Sequence, residues 1–291
     1  MKNLSYIALF LLSFIFIGCN NDDNETVTPN NPSYDFEITN VKDETSGLTL
    51  KLMAAKENLS EGVNNVAFEV EGTSTLTTGG TWQIVPKMTM MMNGMTHKHS
   101  TPIRGFEDAT ESFSGKGQIL FVMPTVEMGV WEIEVQYILE ETPLATWTMP
   151  LTVAAVKFLT EDPAYKTVIN LPIADSDNKI IMGYNFIENG NNPAVGSNNY
   201  EILAFKRIPS MGHGHLETYV PYTDLTFGVT PHMPSMDHGS PNNVDPVAST
   251  DGVYTGVVNF SMLGDWQLKL NVVDNDTVLL DEEGVSFYLE F

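Results

Sequence analysis

Trp266-Gln267-Leu268-Lys269-Leu270-Asn271-Val272 places an apolar side chain at every second position and a polar one between. A strand projects successive side chains to opposite faces, so this run has one face for a core and one for water. Trp131-Glu132-Ile133-Glu134-Val135 repeats the pattern, as do Leu48-Thr49-Leu50-Lys51-Leu52, Val66-Ala67-Phe68-Glu69-Val70 and Val285-Ser286-Phe287-Tyr288-Leu289. Turn material such as Thr78-Gly79-Gly80 and Asp175-Ser176-Asp177-Asn178 separates the runs, and no amphipathic helix of useful length stands out. Many short alternating strands with regular turns predict an all-β chain, a sandwich or a barrel.

The two tryptophan strands belong to an internal repeat. Gly129-x-Trp131-x-Ile133-x-Val135 matches Gly264-x-Trp266-x-Leu268-x-Leu270. Upstream, Pro86-x-Met88 matches Pro231-x-Met233, and His99-x-Thr101-Pro102 matches His238-x-Ser240-Pro241. The order is the same in both copies, and the first copy carries six extra residues between its Pro-x-Met and its histidine, 13 against 7. The expectation is two homologous, independently folding sandwiches in tandem, 34–155 and 158–291, joined near 155–163.

Composition narrows the function. The 291 residues hold 14 Lys plus Arg against 37 Asp plus Glu, a net charge of −23. Such a chain is repelled by nucleic acid and by anionic headgroups, so membrane attachment has to come from something other than a basic patch. Cys19 is the one cysteine, which removes disulfides, cysteine zinc sites, iron–sulfur clusters and CxxC chemistry. It follows a short basic start, Met1-Lys2-Asn3, and an apolar run too short to span a bilayer. The pattern is a secretory signal, expected over 1–18. Its ending, Phe16-Ile17-Gly18-Cys19, resembles a bacterial lipobox, in which the cysteine is lipidated. Residues 19–33 then read as a polar, disordered tether. Its start, Asn20-Asn21-Asp22-Asp23-Asn24-Glu25, resembles the acidic export signals of surface lipoproteins in Bacteroidetes-type bacteria, which implies an outer-membrane lipoprotein on the cell surface, held by its lipid alone.

All six histidines fall in two windows, and methionines crowd into the same places. The first window, a loop at 86–99, holds Met88, Met90, Met91, Met92, Met95, His97 and His99. The second, loops at 211–215 and 231–238, holds Met211, His213, His215, His232, Met233, Met236 and His238. Thioether sulfur is a soft ligand that suits Cu(I), and imidazole binds copper in both oxidation states, so the mixture predicts a copper site in each half. On an extended backbone His97 and His99 share a side, as do Met88, Met90 and Met92. Counting ligands, the first set favours Cu(I) and the histidine-rich second set holds Cu(II) better. The competing reading of buried methionine, core filling, suits Met53, Met123, Met149, Met182 and Met262 instead.

Pro231-His232-Met233-Pro234-Ser235-Met236-Asp237-His238 leading to Gly264-x-Trp266 resembles the YtkA-like and CopC-like group of secreted β-sandwich domains, and Pro86 to His99 leading to Gly129-x-Trp131 resembles an expanded version of it. The resemblance implies two immunoglobulin-like Greek-key sandwiches and copper handling outside the cytoplasm. CopC-type Cu(II) sites can use a free N-terminal amine, which a lipidated Cys19 on a tether does not supply. The expected role is binding, buffering or handover of copper, with a copper transporter or a cuproprotein assembly factor as partner. No Gly-x-Ser-x-Gly, His-Glu-x-x-His or phosphate loop occurs, so no enzyme is expected. Two other classes fit less of the pattern: an adhesion or scaffold sandwich whose Met/His loops touch a protein, and a zinc or nickel binder using the second set of histidines.

Overall fold

The computed structural model describes residues 33–72, 80–92, 94–106, 114–174, 176–188, 192–210, 212 and 215–291. The expected signal segment, Cys19, nearly all of the tether, Met211 and His213 lie outside the described residues. Among the described residues the regular structure is all β, and no helix is long and apolar enough to cross a membrane.

The first half contributes β1 (Phe36–Lys42), β2 (Thr49–Ala54), β3 (Gly62–Glu71), β4 (Thr81–Met92), β5 (Met95–Ser100), β6 (Ile103–Arg104), β7 (Ser114–Phe121), β8 (Gly129–Leu139) and β9 (Thr142–Leu151). They form two sheets, ordered β1-β2-β3-β7-β6 and β5-β4-β8-β9. The second half contributes β10 (Tyr165–Lys166), β11 (Val168–Pro172), β12 (Lys179–Phe186), β13 (Gly196–Ile208), β14 (Thr218–Pro221), β15 (Leu225–Met233), β16 (His238–Gly239), β17 (Val244–Thr250), β18 (Val253–Phe260), β19 (Asp265–Asp274), β20 (Thr277–Leu280) and β21 (Ser286–Glu290). Its sheets run β11-β12-β13-β18-β17, with β14 added on β13, and β10-β21-β19-β15-β16, with β20 added on β19. The wiring of the first half therefore recurs in the second, strand for strand, with β10, β14 and β20 as additions.

Each pair of sheets encloses a core built from the alternating positions. Leu50, Leu52, Phe68 and Phe121 face Trp131, Ile133, Val135 and Trp147 in the first half. Ile180, Tyr200, Ile202 and Phe260 face Trp266, Leu268, Leu270 and Phe287 in the second. Both strand tryptophans are fully buried, and each satisfies its indole by donating to a methionine carbonyl: Trp131 to Met123 O and Trp266 to Met262 O, both at 3.1 Å. An indole N–H left unpaired at such depth would carry a desolvation penalty.

Two of the four sheets are buried on both faces. The backs of the β3–β7 and β12–β13 sheets meet in a third apolar cluster of Leu120, Val168, Ile181, Leu203, Phe205 and Val253. Gly183 permits this approach, since a Cβ there would lie 2.5 Å from Leu120 Cδ1 and 3.0 Å from Val63 Cγ2. Beside the cluster, Glu201 accepts from Asn185 Nδ2 at 2.9 Å and from Gln118 Nε2 at 2.5 Å, with Arg104 Nη1 at 3.6 Å. Asn65 Nδ2 closes the network on Asn185 Oδ1 at 3.2 Å. The molecule is thus a stack of four sheets, with the β4–β8 sheet on one outside and the β15–β19 sheet on the other.

Candidate metal centres

The stretch expected as a loop at 86–99 is a β-hairpin. Strand β4 runs on through Met92, and β5, which pairs with it antiparallel, starts at Met95 just after Gly94. Gly94 has φ +76°, the left-handed conformation that a two-residue hairpin turn requires and glycine adopts without strain. The pairing register sets Met88 opposite His99, Met90 opposite His97 and Met92 opposite Met95. Residues directly opposite in an antiparallel pair share a face, and so do residues two apart. Met88 and Met90 therefore share one face of the hairpin with His99 and His97, as two cross-strand rungs of a thioether and an imidazole. Met88 is fully buried in the core and Met90 is packed against it. His97 and His99 are half-buried, and Met95 is 49 % exposed near the turn. Met91 lies on the opposite face and accepts a 3.3 Å contact from Thr96 Oγ1.

The second half repeats the innermost rung. Met233 stands opposite His238 in the β15–β16 pair. The strand alignments match as well: Pro86 pairs with Ile133 and Pro231 with Leu268, each two residues past its tryptophan. The glycine of each Gly-x-Trp explains itself here. A Cβ on Gly129 would lie 3.0 Å from Met88 Sδ, and one on Gly264 would lie 2.2 Å from Met233 Cε. The thioether occupies the space the missing side chain leaves.

The imidazole of His238 is poised as a ligand. Its Nδ1 lies 2.9 Å from Gly239 O, an acceptor only, so Nδ1 carries the proton of the neutral ring and Nε2 the lone pair. Nε2 is buried and has no hydrogen-bond partner. The ring stands edge-on to Trp266 at 5.7 Å, next to the buried Met233. A bare nitrogen base beside a thioether in an apolar wall suits a soft monovalent ion better than a strongly hydrated one.

The other described candidates of the second set are dispersed. His232, adjacent to Met233 in the strand, points to the outer face and reaches Asp237 Oδ1 through Nε2 at 3.2 Å. Met236 sits in the intervening turn, 58 % exposed. His215 is exposed and belongs elsewhere. Phe260, opposite Gly196 at the start of β13, packs on Trp266 at 5.1 Å, whereas Thr218 lies opposite Ile208 at the other end of β13. Thirteen residues of strand separate these ends, about 40 Å. The structure therefore does not bring His215 to the 231–238 hairpin, because β13 holds the neighbours of the two segments at its opposite ends; Met211 and His213 lie outside the described residues. The segment 215–217 instead reaches the first hairpin, where Glu217 contacts His99 and Ser100. Glu217 carried no motif; its one sequence signal is its place two residues after His215. Among the described residues no group of three His, Cys, Asp or Glu side chains could hold a metal.

Residues 216–271 match the YtkA-like family, a span running from the approach to β14 through the Met233–His238 hairpin and most of the Trp266 strand. No curated protein matches the chain. Among solved structures, the chain is similar to domains 5–6 of the S-layer protein SbsC, at 8 % identity over 80 % of this chain and 91 % of that one, with a TM-score of 0.25. It is also similar to invasin, a bacterial integrin-binding protein, at 11 % identity over 83 % of this chain and 39 % of that one, with a TM-score of 0.24.

Proposed function

We propose that this protein binds Cu(I) outside the cytoplasm and buffers it or hands it on, without catalysing a reaction. The observation that carries the reading is the cross-strand rung of one thioether and one imidazole, Met88–His99 and Met233–His238, set at the same register beside a buried tryptophan in both halves. Core packing alone accounts for a buried methionine, but not for a histidine opposite it in both hairpins with a buried, unpartnered Nε2 in one. The YtkA-like match over 216–271 supports an extracytoplasmic copper role for the second half, and the shared register supports a second copy of that domain in the first. Because the described histidines of the second half, His215, His232 and His238, do not converge, Cu(I) is the expected cargo at both hairpins. In this reading Cys19 is lipidated and is the sole membrane anchor, the protein stands on the outer membrane facing outward, and its partner is a copper transporter or a cuproprotein assembly factor.

The test is a Cu(I) titration of the full chain against a chromophoric chelator, with zinc and nickel as competitors. Two Cu(I) per chain, unaffected by a large excess of either competitor, is the expected result. No retained copper, or displacement by zinc, would overturn it.

A further inference from the structure

The first hairpin is not built by its own half alone. Strand β14 and the segment leading to it are additions to the shared wiring, and Glu217 sits in that segment with its side chain only 10 % exposed. Both carboxylate oxygens are spent on the other sandwich. Oε1 lies 3.0 Å from His99 Nδ1, and Oε2 accepts the Ser100 backbone N–H at 3.0 Å. The Glu217 carbonyl accepts from Ser100 Oγ at 2.5 Å, and Tyr219 Oη donates to Ser100 O at 3.2 Å. A carboxylate accepts, so the neutral His99 ring carries its proton on Nδ1 and keeps the lone pair on Nε2. That is the same tautomer His238 takes from the carbonyl of its own neighbour, Gly239.

We propose that Glu217 is a positioning residue for the first copper site, supplied across the junction between the two sandwiches: it holds His99 with Nε2 presented to the metal. The proposal rests on the copper reading of the hairpin. A carboxylate behind a ligating imidazole fixes ring and tautomer and raises the basicity of the ligand nitrogen. The second site has only a local carbonyl in that role. The first site therefore depends on the docking of the two halves, and the second does not.

The test uses the full chain in a His238→Gln background, so that the first site alone reports. Nitrogen-15 spectra of histidine-labelled, metal-free protein give the tautomer of His99, assigned with His99→Gln. Chelator competition gives Cu(I) affinity. Glu217→Ala is expected to abolish the preference for the Nδ1–H form and to weaken Cu(I) binding about 10- to 100-fold. Glu217→Gln keeps a side-chain carbonyl to accept from Nδ1–H, and is expected to keep the tautomer and to rescue affinity to within a few-fold. Ser100→Ala removes a junction contact but leaves the carboxylate on His99, and is expected to leave affinity unchanged. Equal affinity in Glu217→Ala and the parent overturns the proposal alone. So does a Ser100→Ala loss as large as that of Glu217→Ala, which would assign the effect to docking. A parent that binds no Cu(I) overturns the copper reading and the proposal with it.

Discussion

On the proposed copper reading, Met88 has two jobs that a substitution can separate. Its side chain is fully buried in the core beside its cross-strand neighbour Trp131, where volume matters. Leucine nearly conserves that volume, so Met88→Leu is expected to cost less than about 1.5 kcal/mol in stability, while weakening Cu(I) binding at the first hairpin at least tenfold. Denaturant melts and chelator competition on the same preparation decide it, and equal losses in both would make Met88 a core residue only. Gly264 is a second single-residue test. Its φ is +144° and a Cβ would meet Met233 Cε at 2.2 Å. Gly264→Ala is expected to destabilise the chain by about 2–4 kcal/mol through strain and overpacking, and to displace the Met233 thioether. Residue chemistry was only partly legible in the sequence. The one-sided spacing of Met88, Met90, His97 and His99 and the Gly-x-Trp pairing have counterparts in the strand register, whereas His215, His232 and Met236 do not join Met233 and His238. What stayed hidden was Glu217, because a lone carboxylate in an acidic chain carries no pattern until the fold places it against His99.

At the level of elements, the six extra residues of the first copy lengthen a ladder. Ten residues separate Met88 from His99, eight of them arranged as four further rungs, whereas four residues separate Met233 from His238. The reading of this stretch as a loop followed its polar neighbours, Asn93-Gly94, Thr96 and Lys98. Asn-Gly is also the strongest short signal for a two-residue hairpin. Excising 90–92 and 95–97 leaves Thr89, Asn93, Gly94 and Lys98 as a four-residue turn like that of the second copy. The shortened protein is expected to fold and to keep the inner rung, with first-site Cu(I) affinity falling toward that of the second site. A protein that binds as tightly as the parent would show that Met90, Met92, Met95 and His97 do not serve the metal.

At the level of the whole molecule, alternation foretold the two enclosed cores but not the join between them. Ile180-Ile181-Met182 and Ile202-Leu203-Ala204-Phe205 are continuous apolar runs, the mark of strands covered on both faces. Their second faces are the back-to-back contact. Gly183→Leu places a side chain where Leu120 and Val63 already lie, and is expected to force the sandwiches apart. Calorimetry should show one thermal transition in the parent and two in the variant. A parent that already melts in two well-separated steps would mean that the junction adds little to stability.

The stack also decides how the two proposed copper sites would relate to each other. The hairpins lie in the two outermost sheets, with two sheets between them, a separation of about 30 Å through the layers alone. No ligand of one reaches the other, so an ion leaving the first cannot pass to the second without entering solvent or meeting another molecule. On the proposed reading the sites act as parallel terminals rather than as a relay. Exchange between them by direct encounter of two chains should be second order in protein, its rate per molecule doubling when concentration doubles, and a single chain should be able to serve two partners at once.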